Sequence, residues 1–115
     1  MYDQNNIFAK ILRGEIPAKK VYEDEYALAF HDISAKASVH VLVIPKGPYI
    51  SFSDFVEKAD DVTGFYKAVE ETIKLLDLKQ GFRLISNSGI NGGQEVPHFH
   101  IHILGGEKLG PMISK

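Results

Sequence analysis

Three of the five histidines, His98, His100 and His102, fall at every second residue, with Phe99, Ile101 and Ile103 between them. Strict alternation has the side-chain period of a β-strand, so the three imidazoles are expected in a row on one face and the apolar residues on the other. On a helix each step of two would turn them by about 200°, and they would not converge. Imidazole is nucleophilic and titrates near neutral pH. One ring in such a row can attack a phosphorus while a neighbour, as imidazolium, stabilises charge on its oxygens. The attacking ring needs its other nitrogen held by an acceptor, and a nearby backbone carbonyl would serve.

The loop before this row, Asn87-Ser-Gly-Ile-Asn-Gly-Gly93 followed by Gln94, is rich in turn residues. Its glycines allow close backbone approach, and free N–H groups there would suit an anion. Asn87, Ser88, Asn91 and Gln94 add neutral hydrogen-bonding groups. Two other readings compete with group transfer to phosphorus. In one the histidines form the solvated polar face of an edge strand; in the other they bind zinc. Neighbours at i and i+2 can share an ion, but His98 and His102 would have to close about 13 Å. Group transfer uses the row without requiring it to converge, and it needs neither metal nor cofactor.

These residues must be carried by the rest of a 115-residue chain, a length expected of one domain spanning 1–115. A 44% hydrophobic and 24% charged composition is that of an ordinary globular protein. A net charge of −2 supplies no basic field for a nucleic-acid backbone, so no nucleic-acid partner is expected. The absence of cysteine excludes disulfides and thiolate chemistry. The polar start Met1–Asn6 has no apolar signal segment behind it, and no run is long enough to span a membrane. The expected address is the cytoplasm, with no membrane partner.

In chain order, Asn6 caps a short helix through Ile7-Phe-Ala-Lys-Ile-Leu12, stopped at Gly14. Lys20–Phe30 reads as two short strands around an acidic turn at Asp24. The β-branched run Val39–Ile44, ended by Pro45, is a strand buried on both faces. Asp54 with Glu57 resembles a capping box opening a short helix. A longer helix follows Asp60-Asp61, with Val62, Phe65, Val69, Ile73 and Leu76 as its apolar stripe and Gly81 closing it. Phe82–Ser86 is a strand joined by a long hairpin loop to the histidine strand. This order implies an α+β domain with an antiparallel sheet.

His98-Phe-His-Ile-His102-Ile-Leu resembles the signature of the histidine triad (HIT) family. Phe30-His-Asp-Ile-Ser34, His40, Pro45-Lys46, Asn87, Gly92-Gly-Gln94 and Gly105-Gly106 extend the likeness over nearly the whole chain, towards the branch of HINT-like purine nucleoside phosphoramidases. The resemblance implies a five-stranded antiparallel sheet with two main helices, paired in a homodimer into ten strands. It implies cleavage of the phosphorus–nitrogen bond in AMP- or GMP-linked amines through a nucleotidyl-histidine. His100 would be the nucleophile, His102 would contact phosphate oxygens, and His98 would support the array with His40 behind it. Asp32 would bind the ribose hydroxyls, with Ile7, Phe8 and Ile33 around the purine. Asn87, Gly93, Gln94 and Glu95 would lie near the phosphate or leaving group. Asp32 read as a residue alone is equally a cap for the turn before Ser34, Phe8 is more readily a core residue, and His40 can be a satisfied core histidine, though the supporting role is favoured. A second functional reading is a non-catalytic purine-nucleotide-binding module that contacts a partner protein.

Two positions depart from the family pattern. Glu95 stands where some relatives carry a donating hydroxyl, and a carboxylate repels an anion unless the leaving amine is cationic. Pro97 removes an N–H and holds Val96 extended, so the strand is expected to begin unpaired there. The tail after Gly106 is short, and in this family that segment is thought to tune substrate choice.

Overall fold

The computed structural model describes residues 1–113. Five strands form one antiparallel sheet in the order β1-β2-β3-β5-β4. They are β1 (Lys20–Glu23), β2 (Ala27–His31), β3 (Val39–Pro45), β4 (Phe82–Ile85) and β5 (Ile101–Gly105). Three helices accompany them: α1 (Ile7–Leu12), α2 (Phe52–Lys58) and α3 (Val62–Leu76). Neighbouring residues of β2 and β3 point to opposite faces, and both faces are covered. Ala27, Ala29, Val41 and Val43 pack with Phe65, Val69 and Ile73 of α3. Leu28, Phe30, Leu42 and Ile44 pack with Phe8 and Ile11 of α1. A short helix cannot cover a whole sheet face. The histidines are on the face that α1 only partly covers.

Local chemistry sets the helix ends. The Asn6 side chain accepts from the Ala9 N–H at 2.9 Å, opening α1 as expected. Asp61 does the same for Gly64 at 2.7 Å and opens α3. Gly64 has no room for a side chain, because a Cβ there would lie 2.9 Å from the Tyr26 ring. Two expectations are corrected. Asp54 is not the residue that caps α2; Ser51 precedes the helix, and Asp54 reaches back one turn to the Ile50 N–H at 2.7 Å while pairing with Lys58 at 2.6 Å. α3 ends at Asp77, which takes the left-handed conformation (φ 57°), so Gly81 (φ 118°) serves the next turn instead.

The histidine segment also differs from a continuous strand. Pairing begins only at Ile101, so His102 alone of the three is in the ladder. Pro97 has no N–H to give, the His98 N–H turns back to Val96 O (2.8 Å), and the Phe99 N–H goes to Tyr49 O (2.8 Å). The alternation nevertheless survives outside the strand. Phe99 joins Ile101 and Ile103 in the core, stacked on Phe55 with ring centroids 4.8 Å apart, while His98 and His100 face the other way. β5 lies between β3 and β4, and His98 and His100 are buried, 0% and 7% exposed. That rules out a solvated edge face.

Candidate active site

Each ring of the row is held by partners that also decide which nitrogen carries its proton. His100 Nδ1 lies 2.7 Å from His98 O, an acceptor, so the proton is on Nδ1 and the Nε2 lone pair is free. His98 is oriented oppositely. Its Nε2 donates to Pro45 O at 3.0 Å, and the Tyr2 hydroxyl donates to its Nδ1 at 2.6 Å. His98 therefore supports His100 through its backbone carbonyl, while its ring is clamped between two partners from distant parts of the chain.

A second chain of bonds reaches His102. His40 on β3 and His102 on β5 lie on the same face of adjacent strands, at diagonal positions of the register His40↔Leu104. The Lys36 N–H donates to His40 Nδ1 at 3.0 Å, which leaves the His40 proton on Nε2. That proton points to His102 Nδ1, 2.9 Å away, with Asp32 Oδ2 at 3.3 Å. His102 then carries its own proton on Nε2. Its ring stands edge-on to His100, centroids 4.9 Å apart. A free lone pair and an N–H donor thus sit side by side, as in-line attack on a phosphoryl group with stabilisation of its oxygens requires.

Burial is the largest influence on all four rings and lowers the basicity of each. His98 and His102 are pushed down to about 4, His102 further by its neighbours His100 and His40. His40 is lowered mainly by burial, against the raising effect of Asp32. His100 is also lowered by burial, opposed by its bond to His98 O and then by Asp32 and Glu95. Burial therefore favours the neutral form of all four rings. In that form His102 offers an N–H donor where an imidazolium is expected from the sequence, and His100 keeps a lone pair on Nε2.

The donor atoms of Asp32, His40 and His102 all lie within 4.8 Å of one another, a spacing that a metal ion would accept. The surroundings of His40 do not fit one. A ring bound to metal through Nε2 carries its proton on Nδ1 and gives it to an acceptor, whereas here Nδ1 faces the Lys36 N–H.

The other expected site residues divide. Asp32 meets both readings at once, since Oδ1 accepts from the Ser34 N–H at 2.7 Å while Oδ2 faces His40. Ile33 and Ile7 are exposed (99% and 43%), offering apolar surface next to Asp32 and α1. Phe8 is corrected to a core residue. It is 6% exposed, and its ring meets His100 edge-on at 5.0 Å and Phe30 at 5.7 Å, so it supports the imidazoles from below. Asn87 is half-buried two residues beyond the end of β4, whose last pair is Ile85↔His102.

Gln94 and the glycine loop are also corrected. The Gln94 amide donates to Ile50 O (2.6 Å) and Val96 O (3.0 Å), and its oxygen accepts from the Gly89 N–H (3.2 Å). The Gly93 and Gln94 N–H groups bond to Ile90 O and Gly89 O, both at 3.1 Å. These donors hold the loop in shape and are not free for an anion. Gly93 is required there by its φ of 75°. Glu95 is exposed and makes no ion pair among the described residues. Sequence reasoning missed Tyr2, which bonds to a ring 96 positions away, and the backbone groups of Pro45 and Lys36, whose contacts leave no trace in residue type.

The chain is similar to known proteins over nearly its whole length. The HIT domain model matches residues 13–109. An uncharacterized 13.2 kDa HIT-like protein of Azospirillum brasilense is 52% identical over 99% of this chain and 96% of its own. A histidine triad protein from Clostridium difficile superposes with a TM-score of 0.88 at 43% identity, covering 98% of this chain and all of that one. A HIT family hydrolase from Clostridium thermocellum gives 0.81 at 37% identity, over 97% and 99% of the two chains. The five-stranded antiparallel sheet, its helices and the aligned histidines place this chain in the HIT family.

Proposed function

We propose that this chain is a purine nucleoside phosphoramidase, hydrolysing AMP- or GMP-linked amines through a nucleotidyl group on His100. The observation that carries the reading is the 2.7 Å bond from His100 Nδ1 to His98 O, which leaves Nε2 as a held, neutral nucleophile beside the His102 donor. His100 Nε2 attacks the α-phosphorus, the P–N bond breaks, and the amine nitrogen takes a proton from solvent as it leaves. Water then attacks the same phosphorus and releases a proton to solvent, the bond from phosphorus to Nε2 breaks with its electron pair returning to the ring, and the nucleotide departs. His102 Nε2–H meets the phosphoryl oxygens, and Asp32, Ile33 and Ile7 offer polar and apolar contacts for ribose and purine. The resemblance to solved HIT family hydrolases supports hydrolysis as the reaction class. No metal is required in this scheme, in keeping with the Lys36 N–H at His40.

Turnover of adenosine 5′-phosphoramidate by the purified chain tests the reading. The expected result is release of AMP that persists in EDTA. Binding of AMP without any turnover would instead make the chain a nucleotide-binding module.

The working form is proposed to be a homodimer. β4 has β5 on one side and, among the described residues, no strand on the other, and it leaves Phe82 and Leu84 each more than 40% exposed. An open apolar edge of this kind invites pairing with a second copy. Light scattering should report twice the 12.8 kDa chain mass, and replacing Phe82 and Leu84 together by Glu should return a monomer. A monomeric wild type at micromolar concentration would contradict the dimer.

A further inference from the structure

The hydrogen-bond chain that prepares His102 begins at a backbone amide, that of Lys36, in the loop between β2 and β3. A backbone N–H can set a ring's tautomer only if the loop carrying it is held still. This loop is fastened from the far end of the chain. The Ser38 N–H and Ser38 hydroxyl both donate to Glu107 Oε1, at 2.5 and 2.6 Å. The two segments are close because Val39 pairs with Gly105 and because Gly106 has no side chain. A Cβ on Gly106 would lie 2.9 Å from Val39 Cγ2 and 3.2 Å from Ser38 Cβ. The stretch beyond Glu107 is itself pinned, since Arg83 donates to Gly110 O at 2.9 Å and Pro111 O at 3.4 Å. The Ser38 bonds hold the Glu107 carboxyl below the usual carboxylate range, so it is ionised at neutral pH and accepts both.

We propose that Glu107 is a positioning residue for the phosphate-facing histidine, acting through Ser38, the Lys36 amide and His40 on the tautomer of His102. The same loop carries Asp32, so the clamp sets that carboxylate as well. The segment after the triad thereby reaches the chemistry without touching substrate. This inference rests on the proposed function for its kinetic arm only; the tautomer arm needs no substrate.

The test is long-range nitrogen–proton NMR of the ¹⁵N-labelled chain, with turnover of adenosine 5′-phosphoramidate alongside. In the wild type, His40 and His102 should both carry their proton on Nε2. Glu107→Ala, a change at an exposed position, should mix the tautomers of His40 and lower kcat/KM about fivefold, which is roughly 1 kcal/mol. Glu107→Gln keeps an oxygen that accepts both bonds and should restore the wild-type spectrum and rate. Ser38→Ala, which loses only the hydroxyl bond, should shift both readouts in the same direction by less. A wild-type tautomer spectrum in Glu107→Ala overturns the proposal, as does Glu107→Gln behaving like Glu107→Ala. Absence of turnover in the wild type would count against the proposed function and leave the tautomer result to decide this inference.

Discussion

Replacing His100 by alanine should lower kcat for adenosine 5′-phosphoramidate by about 10⁴-fold or more while the chain stays folded and still binds AMP. The size follows from the role. A residue that forms the covalent intermediate takes the whole two-step route with it, and only positioning by the remaining groups is left. Binding is expected to survive because the contacts proposed for ribose and purine come from Asp32, Ile33 and Ile7, on other elements. Alanine leaves a gap against Phe8, whose ring meets the imidazole edge-on at 5.0 Å, so some loss of melting temperature accompanies the loss of rate. Steady-state kinetics with AMP titration calorimetry separates the two. Turnover within tenfold of wild type would remove His100 from the nucleophile's role.

The second large effect is on stability in mild acid. His98 is fully buried and titrates at about 4 in the folded chain, mainly because burial disfavours its charged form. In the unfolded chain it returns to about 6.5. Between those values the unfolded state binds the extra proton, so stability is complete above pH 6.5 and falls as pH drops towards 4. The loss from this one ring is about 3 kcal/mol. The groups facing it are the Tyr2 hydroxyl, Pro45 O and His100, and none offers a negative charge that would hold a proton on the ring. Urea melts at several pH values from 5 to 6, above the range where carboxylates titrate, isolate the effect when wild type is compared with His98→Gln. The variant's stability should fall less steeply, by about 1.4 kcal/mol per pH unit, the slope of one proton. Parallel curves would show that His98 is not the titrating ring.

What could be read from the chain follows from which interactions are local. Period-two alternation predicts the shared face of His98, His100 and His102, and that face holds even where the strand does not, because Phe99 is drawn into the core with Phe55. Asn6 and Asp61 cap their helices from three residues away. The expectation of a backbone carbonyl behind one ring of the row is also legible, and His98 O lies behind His100 from two residues back. Failures begin where a contact spans the chain or comes from backbone. The Gln94 amide looked free for phosphate, yet its partner Ile50 O is 44 residues away. Pro97 predicts an unpaired or edge start to the strand at that position, whereas the ladder begins at Ile101 inside the sheet, because the His98 and Phe99 N–H groups bond to other carbonyls. Desolvation works against an imidazolium in the row, and residue type alone does not reveal it. His40 in a buried run reads as either a core or a supporting histidine, and its partner, His102, is 62 residues away.

The most direct test of the account is intact-mass analysis of the chain quenched in acid-free conditions during the first turnovers of a slow adenosine phosphoramidate, followed by peptide mapping. The account predicts one adenylyl group per chain, carried on His100 of the peptide that holds Phe99 to Ile103, labile to acid, and absent from His100→Ala. An adenylyl group on any other residue, or substrate consumed at every quench time without a modified chain, would contradict it.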